Sequence, residues 1–225
     1  MKHFYILIFT SLLLLAVGTQ GQTSEWPLDV LDTARNVEYL SSEEKDLILE
    51  INKIRHNPAR YAREHMLFME SFYSGKQLQI PEKEPHHTIE GKNAYTECME
   101  ELGKAKPVPP LRPSRGMTKA CRLLVYDQSL TGKTGHKGSG NSSPYERMQS
   151  FGRFIGKSAE NIHYGDCETR YTIISMLISD GTKSRSSRIN ILDPDFQLVG
   201  ASVGTHKNTG NMCVINFTST YTDKH

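Results

Sequence analysis

The chain is expected to fold as an α+β domain in which helices cover a small antiparallel sheet, and three features of the sequence predict this. Apolar residues recur at helical spacing early on, beginning with Leu47, Ile48, Ile51 and Ile54. Short strand patterns are interleaved with helices only in the second half, and no internal repeat is present. Two β-rich runs, residues 196–203 and 212–220, close the chain around His206-Lys-Asn-Thr-Gly210, and Asn-Thr-Gly supplies the turn chemistry of an antiparallel hairpin.

Residues 4–17 are apolar except for Thr10 and Ser11 and follow a short basic start, Lys2 and His3. Such a run is too short to cross about 30 Å of hydrocarbon, which takes about 20 apolar residues. It fits the apolar region of a secretory signal peptide over residues 1–21, with the small residues Thr19 and Gly21 suited to cleavage. An uncleaved membrane anchor and a buried core helix are the competing readings. Residues 22–40 lack periodicity and are expected to form an extended lead-in to a domain spanning 41–225.

Ser41-Ser42-Glu43-Glu44 reads as a capping box opening the first helix. Asn57-Pro58 then ends it and starts a second, which is expected to turn Tyr61, Ala62, His65 and Phe68 inward. Residues 75–90, rich in Pro, Glu, Lys and His, read as a surface loop. Within it, His86-His87 between Glu84 and Glu90 are metal-ligating types, though adjacent histidines in a polar loop are usually solvated. A helix near 91–105 stops at the Pro-rich stretch 107–113. Another starts at Ser114 and buries Met117, Ala120, Cys121, Leu124 and Val125. Downstream come a short helix over 144–151, a strand over 158–163 and a helix over 169–179 carrying Ile173, Ile174 and Leu177.

Composition limits function. Without Lys2, 26 basic residues face 25 acidic ones, which gives no electrostatic footprint for nucleic acid. Lys183, Arg185 and Arg188 are interrupted by serines and read as a solvated loop. No second apolar run of spanning length follows the first. Cys98, Cys121, Cys167 and Cys213 form no C-x-x-C pair, which argues against a zinc ribbon or a thioredoxin-type site. Two disulfides with three possible connectivities, or buried thiols, satisfy the spacing equally. The glycine-rich stretch 132–140 lacks the ending of a phosphate-binding loop.

Several motifs in sequence order resemble the CAP superfamily of SCP-like extracellular domains, in its bacterial-type branch. They are Gly135-His136-Lys137-Gly138, Glu146-Arg147-Met148, Ala159-Glu160-Asn161-Ile162-His163-Tyr164-Gly165, Ile178-Ser179-Asp180-Gly181, Ser187-Arg188-Ile189-Asn190-Ile191-Leu192 and Pro194 to Gly200. Upstream, residues 50–58 are similar to the family's first helix, so the resemblance covers about 41–221. It implies a three-layer α-β-α sandwich with a cleft of two histidines and two acids able to take a divalent metal. By position His136, Glu160 and Asp180 match three of these, whereas Ser187 stands where a second histidine is common.

A zinc-like site draws its affinity from imidazoles, so one histidine with carboxylates would hold Zn or Mg only loosely. His136 and Glu160 could instead work as an acid–base pair. Ser187 has no nucleophile elbow around it. Each residue also has a purely structural reading: Glu160 as an acceptor of backbone hydrogen bonds, Asp180 as a turn residue, His136 as an exposed loop histidine. Arg188 and Asn190 read as structural hydrogen bonders, and His163 and His206 as strand and turn residues. The favoured function is a secreted module binding an extracellular protein, lipid or small ligand through a cleft of His136, Glu160, Asp180 and Ser187. The alternative is a metal-assisted, peptidase-like hydrolase using His136, Glu160 and Asp180.

Overall fold

The computed structural model describes residues 25–224; the apolar segment 4–17 and its cleavage region lie outside the described residues. The first half contains α1 (Leu28–Leu31), α2 (Ser42–His56), α3 (Pro58–His65), a 3-10 helix (Leu67–Phe72), β1 (Tyr73–Ser74), β2 (Gln77–Leu78), β3 (His86–His87) and α4 (Lys92–Lys104). Next are β4 (Arg112–Pro113), α5 (Arg115–Thr131), α6 (Pro144–Phe151), β5 (Gly152–Arg153) and β6 (Ser158–Tyr164). The last are α7 (Thr169–Ile178), α8 (Ser186–Leu192), β7 (Leu198–His206), β8 (Gly210–Thr218) and β9 (Thr222–Asp223). Among the described residues no helix is long and apolar enough to cross a membrane.

The main sheet has the order β4-β7-β8-β6, antiparallel except for β4 beside β7. Strand alternation gives it two buried faces. Val199, Ala201, Cys213 and Ile215 pack towards α2, α4 and α7, while Met212 and Val214 meet Cys121, Leu124 and Val125 of α5. Met148 of α6 joins Met117 and Ala120 of α5 on that second side. The result is the expected three-layer α-β-α sandwich. Close approach of α5 requires Gly200, where an added Cβ would sit 2.3 Å from the Met117 carbonyl carbon. Gly210 closes the β7–β8 hairpin at φ +82°, a left-handed conformation that costs glycine little.

Local signals act as expected at the helix starts. Ser41 accepts from Glu44 N while Glu44 accepts from Ser41 N, and Asn57 caps α3 ahead of Pro58. Buried polar groups of α2 then fasten distant segments. Asn52 bonds the carbonyls of Leu31 and Leu111 and accepts from Leu111 N. Arg55 donates to the carbonyls of Pro109, Ile191, Asp193 and Phe196. Burial lowers that guanidinium to about 10, so it stays cationic at neutral pH while all four acceptors share its charge.

Four expectations are corrected. Residues 25–40 are not simply extended: they include α1 and bury Leu31, Ala34 and Leu40. After α3 the chain tightens to a 3-10 helix with three residues per turn. Met66 and Met69 therefore turn inward and Phe68 is left 56% exposed. The loop 75–90 carries the strands β2 and β3, paired with β1 in a small sheet of their own. The stretch 183–188 is not a solvated loop, since Arg185 and Arg188 are both buried.

Arg185 pairs with Glu90 and Glu97, and Arg188 with Glu97 and Glu101, all at 2.6–2.8 Å. Hydrogen bonds from Arg185 hold Glu97 far below its ordinary 4.5, at about 2, and lower Glu90 as well. A carboxyl group whose value falls on folding contributes stability above its unfolded value and loses it as the pH drops. In urea unfolding between pH 6 and about pH 2 the stability that Glu97 and Glu90 contribute should therefore be constant above about 4.5 and fall below it. Glu97→Gln should flatten the part of that fall that Glu97 contributes.

Candidate functional site

His136 and Glu160 are brought together from opposite sides of a 24-residue interval. Glu160 lies on β6 and, by alternation, shares with Ile162 and Tyr164 the sheet face covered by α5. The loop carrying His136 is tied to that face at several points. The Tyr164 hydroxyl accepts from Gly135 N and donates to Gln128 Oε1, while Gln128 Nε2 donates to the Gly135 carbonyl. Asp127 accepts from Ser139 N. Arg147 of α6 reaches the carbonyls of His136 and Ser142 through Nη1.

These contacts set His136 Nδ1 2.9 Å from Glu160 Oε1, and Arg147 Nη2 2.7 Å from Glu160 Oε2. An ionised carboxylate only accepts, so His136 carries its proton on Nδ1 and presents Nε2 to solvent. The Glu160 and Arg147 side chains are 1% and 0% exposed, whereas the His136 ring is 58% exposed. The pair is thus a buried ion pair capped by a surface imidazole. On the same face Asn216, level with Glu160 across β6 and β8, is fully buried, and neither polar atom of its amide has a protein partner.

Asp180 and Ser187 do not join them. Asp180 follows α7, behind Ser179 at φ +54°, and accepts from Ile89 N at 2.6 Å and Glu90 N at 2.8 Å. Ser187 lies on α8, where its carbonyl accepts from Asn161 Nδ2. Asn161 occupies the face of β6 opposite Glu160, so the sheet separates both residues from His136. Asn190 donates to Asn161 Oδ1 and Arg188 to the Leu177 carbonyl, the structural roles expected of them.

The donor set around Glu160 does not fit a divalent ion. One oxygen is taken by a guanidinium and the other by an imidazole N–H, and a cation would have to approach Arg147. Among the described residues no three His, Cys, Asp or Glu side chains cluster as metal ligands. His86 and His87 are exposed on β3, while Glu90 is engaged by Arg185. The four cysteines are free thiols; Cys98, Cys121 and Cys213 are buried, and burial raises all four, Cys98 to about 12 and Cys167 to about 11.

A concavity lies at the β6 edge of the sheet, between α7 and the segment 78–86, and also takes in Ile162 and Tyr164. It is a groove of about 680 Å³ whose walls include Ile80, Lys83, His86, His163, Asp166 and Tyr171. Ile80, Lys83 and Tyr171 also border an adjoining, mostly apolar arm of about 240 Å³ lined by Phe68, Met69, Phe72 and Ile174, with Glu168 and Arg170 at its rim. His163 Nε2 meets the Asp166 carbonyl at 2.9 Å, and burial holds its imidazole below the ordinary histidine value. Lys83 pairs with Asp166, lowering that carboxyl, and its ammonium lies 4.7 Å from the centre of the Tyr171 ring. Neither Lys83 nor Tyr171 belongs to a periodic pattern or motif, so no sequence signal marked this groove.

Arg147→Met should leave Glu160 buried without its counter-ion and cost about 3–5 kcal/mol in urea unfolding. Adding Glu160→Gln should recover most of that loss. His136→Ala should cost less than about 1 kcal/mol, because an exposed partner gains little from the pair.

The model of the CAP cysteine-rich secretory protein family matches residues 50–218. Similar solved structures include an extracellular protein containing an SCP domain from Bacillus anthracis, at 17% identity and TM-score 0.41, covering 50% of this chain and 35% of that one. An outer surface protein from Borrelia burgdorferi aligns at 15% identity and TM-score 0.42, over 59% and 92% of the two chains. A cysteine-rich secretory protein from Staphylococcus aureus aligns at 13% and TM-score 0.39, over 64% and 46%. The alignment thus takes in about a third of the Bacillus protein. No curated protein matches the chain.

Proposed function

Because this chain belongs to the CAP family of cysteine-rich secretory proteins, we propose that it is an extracellular binding module whose ligand is a small amphipathic molecule. The ligand lies in the groove between α7 and residues 78–86. The observation that carries this reading is the groove's two-part chemistry. The apolar arm offers Phe68, Phe72 and Ile174 to a hydrocarbon chain, and the wider end offers charged and hydrogen-bonding groups to a polar head. Ligand sites of this kind pair apolar walls with a few fixed polar groups. The apolar run 4–17 supports export from the cytoplasm.

The alternative, a metal-assisted hydrolase on His136, Glu160 and Asp180, is disfavoured by occupied acceptors. Glu160 would have to leave Arg147 or His136 before acting as a base, and both oxygens of Asp180 are engaged by backbone amides. Hydrolysis would further need a nucleophile and an oxyanion site.

A displacement titration tests the binding reading, using an alkyl-naphthalene fluorophore as probe and 1-decanol as competitor. The wild type should bind the probe and release it to decanol. Phe68→Asp, an exposed change that spares the core, should weaken binding at least roughly tenfold by placing a charge in the apolar arm. His136→Ala should leave it unchanged. Equal binding by Phe68→Asp, or loss on His136→Ala, would overturn the assignment to this groove.

A further inference from the structure

Resting on the groove reading above, we propose that its polar end is a subsite for an organic ammonium group, occupied in the unliganded protein by the chain's own Lys83. The Lys83 ammonium lies 4.7 Å from the Tyr171 ring centroid, over its face, while pairing with the Asp166 carboxylate. A ring face together with a carboxylate is how proteins hold a cation, and the same geometry suits any ammonium on a flexible stem. Glu82 and Glu84 border the same mouth, so the field there favours a positive head over a negative one.

The two sides of the subsite differ in how they are held. Tyr171 stands in the first turn of α7, whose N-terminal amides are capped by the Glu168 carboxylate. Asp166 Oδ1 accepts from Glu168 N, leaving Oδ2 for the cation. Lys83 instead comes from the turn between β2 and β3, strands of two residues each, and its side chain is 30% exposed. The ring is therefore fixed by a helix and the carboxylate by the turn before it, whereas the occupant arrives on a flexible lysine stem from a turn held at Lys83 by Ile80 and Gln79. A ligand ammonium reaches Tyr171 and Asp166 by displacing Lys83 into solvent, where a lysine is well hydrated. Its chain then runs past Ile80 into the apolar arm.

Lys83 thus acts as a tethered competitor, and removing its charge should raise affinity for ammonium ligands alone. The test compares three ten-carbon competitors in the fluorophore displacement titration: decyltrimethylammonium, 1-decanol and decanoate. In the wild type the ammonium should displace the probe at lower concentration than decanoate. In Lys83→Met the ammonium should bind at least roughly tenfold more tightly than in the wild type while decanol is unchanged. Adding Asp166→Asn to that variant should abolish the gain. Both changes are at partly exposed side chains, so folding is preserved and can be checked by circular dichroism.

Failure of all three competitors to displace the probe would overturn the groove reading itself. Displacement by decanol with no ammonium gain in Lys83→Met would keep the groove and overturn the subsite. Decanoate binding best to the wild type, and losing affinity in Lys83→Met, would assign Lys83 to an anionic head and overturn the subsite as well.

Discussion

The grip of Asp180 and Arg185 on residues 89 and 90 is the constraint on which the groove beside α7 depends. Asp180 accepts both backbone amides and Arg185 takes the Glu90 carboxylate through two nitrogens, so the end of the 73–90 segment is fixed at the foot of α7. The groove is the space between that segment and the helix. The grip has a conformational cost, since Ser179 and Arg185 both hold left-handed backbone angles that disfavour residues with a Cβ. Bidentate, partly desolvated pairs with Glu90 and Glu97 offset that cost.

The opposite face of the sheet is organised by a different buried cation. Arg147 joins Glu160 on β6 to two carbonyls of the loop bearing His136, so a single side chain places both halves of the histidine–carboxylate pair. Two polar centres therefore share one strand. Alternation along β6 sends Glu160 towards α5 and Asn161 and His163 towards α7 and α8. The histidine–carboxylate pair sits on the α5 face, while the groove opens at the β6 edge beside α7 and shares Tyr164 with the loop bearing His136.

Much of this architecture was legible in the sequence, because the signals were local. The capping box at Ser41, the Asn57-Pro58 restart, the helical stripe of α2 and the turn before Gly210 each fix their own neighbourhood. The pairing of His136 with Glu160 was legible only through a resemblance, since no spacing rule links a loop to a strand 24 residues away. What the sequence hid depends on long-range complementarity. Arg185 and Arg188 look like a serine-spaced solvated run until α4 supplies Glu97 and Glu101 against them. Phe68 is apolar and at helical spacing, yet a switch to 3-10 winding turns it outward. Asp180 sits in the expected order but spends both oxygens on a loop that sequence alone could not bring near it.

A ligand in the groove proposed above would contact α7 and residues 78–86 and leave His136 and Glu160 untouched. Hydrogen–deuterium exchange with and without a bound amphiphile measures this most directly. Binding in the groove predicts new protection in peptides covering 67–73, 78–86 and 163–178. Protection centred on peptides covering 133–141 and 158–161, with none along α7, would contradict it.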